Sequence, residues 1–320
     1  MTRHFLCDDA LAPGEQAAVL ALAQRMKQER FTPIGDRPLD GPRTVAVLFD
    51  KPTLRTQLSF ATGIVELGGY PMIVDGNLAK IGVRESIADT ARVLGRQTAA
   101  IVWRTYDQSR IEEMAAYAGV PVVNALTDQF HPCQLLADLL TIREHRGRLA
   151  GLTVAFLGDS ASNMAHSALL AGATAGMNVR VSGPAGYEPD RAVLERARSI
   201  AETTGGSASY VHDPADAVDG ADVVATDTWV SMGRENEAEQ RAAPFEPYAV
   251  TESLLAKADD QALVMHCLPA YRGREIEAAV IDGPHSVVWD QAENRLHAQK
   301  ALLAWLLDNQ APTGAGEKGM

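Results

Sequence analysis

The sequence predicts an α/β fold, two doubly wound parallel-sheet domains joined by helices. Three observations carry that expectation. Short β-prone runs, such as Thr44-Val45-Ala46-Val47-Leu48 and Leu152-Thr153-Val154-Ala155-Phe156-Leu157, alternate with longer segments whose apolar residues recur at helical spacing. Such alternation implies parallel strands with helices on both faces of the sheet. A length of 320 residues also exceeds the usual size of one hydrophobic core, so two domains are expected.

Taken in order, a helix is expected over 15–30, with Val19, Leu22 and Met26 on one face before Pro33 and Gly35 break the pattern. The strand at 44–48 runs into Phe49-Asp50-Lys51-Pro52-Thr53-Leu54-Arg55-Thr56-Gln57. Leu58, Ala61, Ile64, Val65 and Leu67 then recur helically until Gly68-Gly69. Thr53 to Thr56 therefore fall where a strand end becomes a helix N-terminus. Free N–H groups and the positive end of the helix dipole make that turn suited to an anion. Arg55 adds a planar fork that matches phosphate. A strand at 71–75 precedes a polar, glycine-bearing loop at 76–85, a helix at 86–95 and a strand at 99–103 with Arg104 at its end. Helix 111–118 and strand 120–125 lead to His131-Pro132-Cys133-Gln134, which opens a strongly apolar helix.

A second unit starts at Gly151. Strands are expected at 152–157, 178–182, 208–211, 221–226, 262–265 and 286–289, and helices at 165–175, 189–203 and 291–308. Residues 234–241 are highly charged and read as an exposed loop or short helix; the Gly-rich tail, 311–320, reads as disordered. The turn Gly158-Asp159-Ser160-Ala161-Ser162-Asn163 lacks the G-x-G-x-x-G spacing of a dinucleotide site. In parallel sheets ligands bind beyond the carboxyl ends of the strands, and Arg55, Arg104 and His131 are all expected on that side.

Composition narrows the partners. Hydrophobic residues make up 46% and charged ones 22%, as in an ordinary globular protein. A net charge of -12 argues against nucleic acid or an anionic membrane, which reward clustered Lys and Arg. An anionic substrate must then be captured by a few local cations. The N-terminal residues carry no signal-like apolar core, and no stretch has the length of a membrane span. Three scattered cysteines, Cys7, Cys133 and Cys267, fit a reducing cytoplasm, and no Cys/His spacing of the zinc type occurs. No metal or cofactor is expected.

Four motifs follow one another along the chain: His131-Pro132-Cys133-Gln134, Asp227 with Ser231-Met232-Gly233, His266-Cys267-Leu268-Pro269, and Glu293-Asn294-Arg295. In this order, over nearly the whole chain, they resemble those of ornithine carbamoyltransferases, in the aspartate/ornithine carbamoyltransferase superfamily. The resemblance implies transfer of the carbamoyl group of carbamoyl phosphate to the δ-amino group of L-ornithine, giving L-citrulline and phosphate. The setting would be arginine biosynthesis, or the catabolic reverse. It implies that Thr53, Leu54, Arg55, Thr56, Lys80, Arg104, His131, Gln134, Cys267, Leu268 and Arg295 contact carbamoyl phosphate. Asn163, Asp227, Ser231 and Met232 would contact ornithine. It further implies a homo-oligomer, a trimer or a multiple of trimers, with Lys80 reaching a neighbouring subunit's site.

These roles are chemically reasonable. Attack on the carbamoyl carbon builds charge on its oxygen, for which Arg104, His131 and the Thr56 hydroxyl are suitable donors; one such donor is worth about 3 to 4 kcal/mol. Arg55 and Arg295 suit the phosphate, and Gln134 suits the carbamoyl nitrogen. An alkyl amine near pKa ~10.4 is mostly protonated at neutral pH, so the site must favour its neutral form. Cys267, a partly ionisable thiol, is expected to accept a proton or hydrogen bond there. Arg55, Arg104, His131 and Cys267 are thus the expected catalytic residues, whereas Cys133, His166, Trp103 and Trp229 read as packing residues. Two positions depart from the family pattern: Leu54 replaces a Thr, and Gln57 replaces an Arg.

Domain limits are expected at 1–147 for carbamoyl phosphate, with the helix 291–309 returning to it, and 148–290 for ornithine, closing over the site. The competing readings are a carbamoyltransferase for putrescine, aspartate or N-acetylornithine, a nicotinamide enzyme, and a non-catalytic binding subunit.

Overall fold

The structure is a computed structural model, and it describes residues 2–32, 37–230 and 243–309. By internal contacts the chain divides into two units. Met1–Leu6, Leu22–Thr127 and Leu296–Met320 form unit 1; Cys7–Ala21 and Asp128–Arg295 form unit 2.

Unit 1 is built on β1 (Thr44–Phe49), β2 (Tyr70–Asp75), β3 (Ala100–Arg104) and β4 (Val122–Leu126). All pair in parallel in the order β2-β1-β3-β4. The chain reverses its winding between β1 and β3, so the switch point lies at Asp50 and Arg104. Helices Ile87–Gln97 and Gln108–Ala118 cover one face, burying Ile87, Ala91, Ile111 and Met114 against Leu48, Ile101 and Trp103. They pass so closely that a Cβ on Gly95 would lie 1.6 Å from the Ala118 carbonyl, so only glycine fits. Helix Arg55–Glu66 packs on the C-terminal half of helix Val288–Asp308. There Ser59 Oγ donates to Gln299 Oε1 (2.6 Å) and buried Lys300 pairs with Glu66 (2.6 Å).

Unit 2 has β5 (Thr153–Leu157), β6 (Asn178–Ser182), β7 (Ser207–Tyr210), β8 (Val223–Thr226) and β9 (Leu263–His266), parallel in the order β7-β6-β5-β8-β9. Its switch point falls between β5 and β8. Helices Pro132–Arg146 and Asn163–Thr174 are buried along nearly their whole length. Helices of this kind read as continuous apolar runs because they lack a wet face. Among the described residues no helix is long and apolar enough to cross a membrane.

Two expected elements are corrected. The loop at 76–85 begins as a short helix, Gly76–Ala79, because Gly76 lets the chain close on Asp50: a Cβ there would lie 1.9 Å from Asp50 Oδ1. The strand at 286–289 is a single bridge between Ser286 and Val264. The final helix already starts at Val288, drawn in by a helical bond from Gln291 N to Val287 O (2.9 Å). The expected break at Pro33 and Gly35, the exposed segment 234–241 and the tail 311–320 lie outside the described residues.

Candidate active site

In unit 1 the predicted anion turn lies between β1 and helix Arg55–Glu66. Leu54 caps this helix without a side-chain hydrogen bond and is 75% exposed, so only its backbone is available to a ligand. Arg55 is the first helical residue, and Thr56 is fully buried. Arg104, the last residue of β3, is buried and paired in register with Phe49 at the end of β1. A register shift against β4 occurs between Trp103 and Arg104; irregularities of this type re-aim a side chain at a strand end.

One ion pair braces this edge. Arg110 donates to Asp50 Oδ2 (3.4 Å), Thr105 Oγ1 (2.9 Å) and the Ile81 carbonyl (2.9 Å), while the Thr105 hydroxyl donates to Asp50 Oδ2 (2.6 Å). Asp50 N also donates to Arg104 O (2.9 Å). The roots of the 51–56 turn, the Arg104 strand end and the Lys80 loop therefore share one set of partners. Lys80 itself is exposed, with φ +50°.

In unit 2, His131 precedes helix Pro132–Arg146. Its backbone N–H donates to buried Ser167 Oγ (2.8 Å), whose hydroxyl donates to Asp8 Oδ2 (2.5 Å). Burial pushes the Asp8 carboxyl well above its ordinary pKa. Gln134, one turn on, donates from Nε2 to Asp138 Oδ1 (2.8 Å), which also accepts from Gln291 Nε2 (2.8 Å). Gln291 Oε1 accepts from His266 N (2.9 Å). Burial raises Asp138 to about 6, opposed by these hydrogen bonds and by Arg295.

The His266-Cys267-Leu268-Pro269 turn continues from β9. The imidazole of buried His266 accepts from Leu268 N at Nδ1 (2.9 Å) and faces buried Glu275 at Nε2 (3.3 Å), which fixes the Nε2–H tautomer. Leu268 is held at φ +59°, a costly conformation for a branched side chain and one that clusters at binding sites. Asp227, just past β8, accepts at Oδ1 from the Cys267 thiol (3.1 Å) and Thr228 N (2.7 Å). Burial, then Asp227, holds the Cys267 thiol well above its ordinary pKa, and burial raises Asp227 too. Cys267 is expected from the sequence to accept a proton or hydrogen bond; in this structure its thiol donates to Asp227.

Donor atoms of Asp227, His266 and Cys267 lie within 4.8 Å of one another, close enough to hold a cation if their hydrogen bonds were given up. Asn163 starts helix Asn163–Thr174, behind the Ser162 cap. Arg295 is buried and acts electrostatically on Cys267, Asp138 and Cys133. Ser231 and Met232 lie outside the described residues. Cys133, Trp103, Trp229 and His166 are buried, the last accepting from Asp190 N (3.0 Å).

Sequence reasoning missed the supporting groups Arg110, Asp8, Ser167, Gln291 and Asp138, and quoted Asp50 and His266 within longer motifs without giving either a role. Only Asp138 left a signal, as a lone acid within Leu135-Leu136-Ala137-Asp138-Leu139-Leu140, four residues after Gln134.

Comparison with known proteins gives one answer. The family model for the carbamoyl-P binding domain of aspartate/ornithine carbamoyltransferases matches residues 3–144, and that for the Asp/Orn binding domain matches 150–306. An ornithine carbamoyltransferase from Clavibacter sepedonicus is 64% identical, covering 96% of this chain and 99% of that protein. One from Mycobacterium ulcerans is 56% identical over 96% of this chain and 99% of its own. The solved ornithine carbamoyltransferase of Pyrococcus furiosus superposes with a TM-score of 0.92 at 44% identity, covering 97% of this chain and 98% of its own. This chain belongs to the aspartate/ornithine carbamoyltransferase family, among its ornithine carbamoyltransferases.

Proposed function

We propose that this chain transfers the carbamoyl group of carbamoyl phosphate to the δ-amine of L-ornithine, forming L-citrulline and phosphate. The observation that carries the reading is a division of chemistry between two sheet edges. The edge of unit 1 offers Arg55, Arg104 and a helix N-terminus, suited to a dianion. The edge of unit 2 offers the Asp227 carboxylate, suited to an ammonium group. Residues 1–147 and the helix 291–309 are assigned to carbamoyl phosphate, and 148–290 to ornithine.

The δ-nitrogen lone pair forms a C–N bond to the carbamoyl carbon, and the carbonyl π electrons move to oxygen. Arg104, His131 and the Thr56 hydroxyl serve that oxygen as donors, lowering the barrier by interactions stronger in the transition state than before it. The oxygen electrons return as the C–O bond to phosphate breaks. Arg55, Arg295, Thr53, the Leu54 amide and Lys80 serve the departing phosphate. Gln134 and the Leu268 turn serve the carbamoyl nitrogen. Asp227 and Ser231 serve the ornithine α-ammonium, and Asn163 and Met232 its α-carboxylate. The amine proton is assigned to the phosphate dianion, since the Cys267 thiol is engaged as a donor to Asp227 Oδ1 (3.1 Å). The thiol instead holds Asp227 in place by its hydrogen bond.

The proposed setting is cytoplasmic arginine biosynthesis by a homotrimer. Leu54, Leu58 and Val65 along one helix, with Tyr70, Met72 and Ile73 on the edge strand β2, are exposed apolar residues of unit 1, which supports burial against a second copy. A monomeric mass by light scattering at micromolar concentration would remove that support. The activity is tested by citrulline formation from carbamoyl phosphate with ornithine, putrescine, aspartate and N-acetylornithine at equal concentration. Ornithine is expected to lead; preference for another acceptor overturns the reading.

A further inference from the structure

The Gln134 amide is buried, and its two ends differ. Nε2 donates to Asp138 Oδ1 (2.8 Å), whereas Oε1 has no hydrogen-bond partner among the described residues. An ionised carboxylate only accepts hydrogen bonds, so it must be met by the amide NH2 and never by the amide oxygen. The same Asp138 oxygen accepts from Gln291 Nε2 (2.8 Å), which excludes the reverse arrangement there as well. Gln291 in turn accepts from His266 N (2.9 Å), the residue that opens the Cys267-Leu268 turn.

We propose that Asp138 is a positioning residue that fixes the Gln134 amide with its NH2 on the carboxylate and its carbonyl as the acceptor presented to a ligand. The site thereby demands an N–H from the acyl donor. This inference rests on the functional reading above and deepens it, because it names the residue that orients Gln134, the group assigned there to the carbamoyl nitrogen. A carbamoyl NH2 satisfies Oε1; an acetyl CH3 leaves a buried acceptor unpaired, which sites of this kind reject strongly. Asp138 is itself set among apolar side chains, sharing a small cavity with Leu135, Leu139, Phe156 and Met265. Its pKa of about 6 leaves it ionised at pH 7.5, where its acceptor-only character holds.

A simple helix-stabilising role for the Gln134–Asp138 pair predicts loss of folding stability and equal weakening of all ligands. The positioning role predicts a change in ligand preference. The test measures dissociation constants of carbamoyl phosphate and acetyl phosphate for the full-length protein at pH 7.5. The proteins compared are wild type, Asp138→Asn, and the double variant Gln134→Glu with Asp138→Asn. Wild type is expected to prefer carbamoyl phosphate at least 10-fold. In Asp138→Asn the new Nδ2–H2 can donate to Gln134 Oε1 and turn the amide NH2 toward the ligand. Carbamoyl phosphate should then weaken about 10- to 100-fold while acetyl phosphate changes less than about 3-fold. In the double variant the amide introduced at position 138 donates to one oxygen of the carboxylate introduced at position 134. The other oxygen stays an acceptor, so part of the preference returns. Unchanged preference in Asp138→Asn, or equal weakening of both ligands, overturns the inference. Should that variant fail to fold, the double variant decides: retained preference supports it and lost preference overturns it. Failure of wild type to bind carbamoyl phosphate overturns the functional reading instead.

Discussion

In unit 1 the candidate residues stand around strand ends braced by one ion pair, Asp50–Arg110. In unit 2 they stand among Asp8, Asp138, Asp227 and Cys267, every one raised by burial. On the proposed reading, Asp8 and Asp138 hold His131 and Gln134 for the carbamoyl group, and of the raised groups only Asp227 and Cys267 stand with the amine. A phosphate dianion is met by fixed cations and backbone amides, which need only be held still. An amine nucleophile brings a proton that must be lost, so the groups facing it must be controlled in charge as well as position. Bracing would suffice for the phosphate, whereas desolvation sets the charge of Asp227 and Cys267.

The largest break of this contrast comes from the cation side. Arg104→Ala should lower kcat for citrulline formation about 100- to 1000-fold, the size of one lost oxyanion donor. A loss confined to KM would make Arg104 a binding cation only.

On the acid side, pH separates the two units. Asp138 titrates near 6 when folded and near 3.8 when free, so the folded state holds more protons between these values. Stability contributed by this group is therefore present below pH 3.8 and lost as pH rises through 6. The difference between the two values corresponds to about 3 kcal/mol at most. Asp138→Asn should thus look less destabilising at pH 7.5 than at pH 5 in denaturant melts. A difference of the opposite sign would contradict the assignment of burial as the cause.

Asp227→Asn should raise KM for ornithine about 10- to 100-fold, the range for a lost charge-assisted hydrogen bond, and leave carbamoyl phosphate affinity nearly unchanged. Equal effects on both substrates would blur the division between the two edges. Cys267→Ser keeps a donor for Asp227 and should cost less than about 10-fold in kcat. A general base would cost about 100- to 10,000-fold, and a loss of that size would restore the thiol as proton acceptor.

The smallest expected effect is at Gln57, half-buried in the first turn of helix Arg55–Glu66. An Arg there adds charge for the phosphate but opposes the positive helix end, which costs about 0.3–1 kcal/mol. Gln57→Arg should therefore tighten carbamoyl phosphate only a few-fold. Unchanged affinity would show that charge at this position does not reach the ligand.

Much of the molecule was legible beforehand because its signals are local. Strand–helix alternation set the class, and the strand ends at Arg104, Thr226 and His266 located Arg104, Asp227, Cys267 and Leu268 within about two positions, whereas Thr53 to Thr56 follow Phe49 at the start of the next helix. The misreadings were local too. Ser286 to Trp289 has strand-like composition, yet one bridge to Val264 and an early helical bond decided otherwise. The supporting residues left almost no trace. Asp8 and Ser167 are 159 positions apart, and Asp138 and Gln291 are 153 apart, so no spacing rule connects them.

What the sequence by itself determined is the periodicity of each segment, the order of the motifs and the residue types at each strand end. These depend on backbone geometry and neighbours a few positions away. What only the tertiary structure decided is the charge and hydrogen-bond direction of those residues: Cys267 as donor, Asp138 near pKa 6, the Gln134 carbonyl buried without a partner among the described residues. Such properties depend on which distant groups exclude water from a site, and that is settled only when the chain has folded.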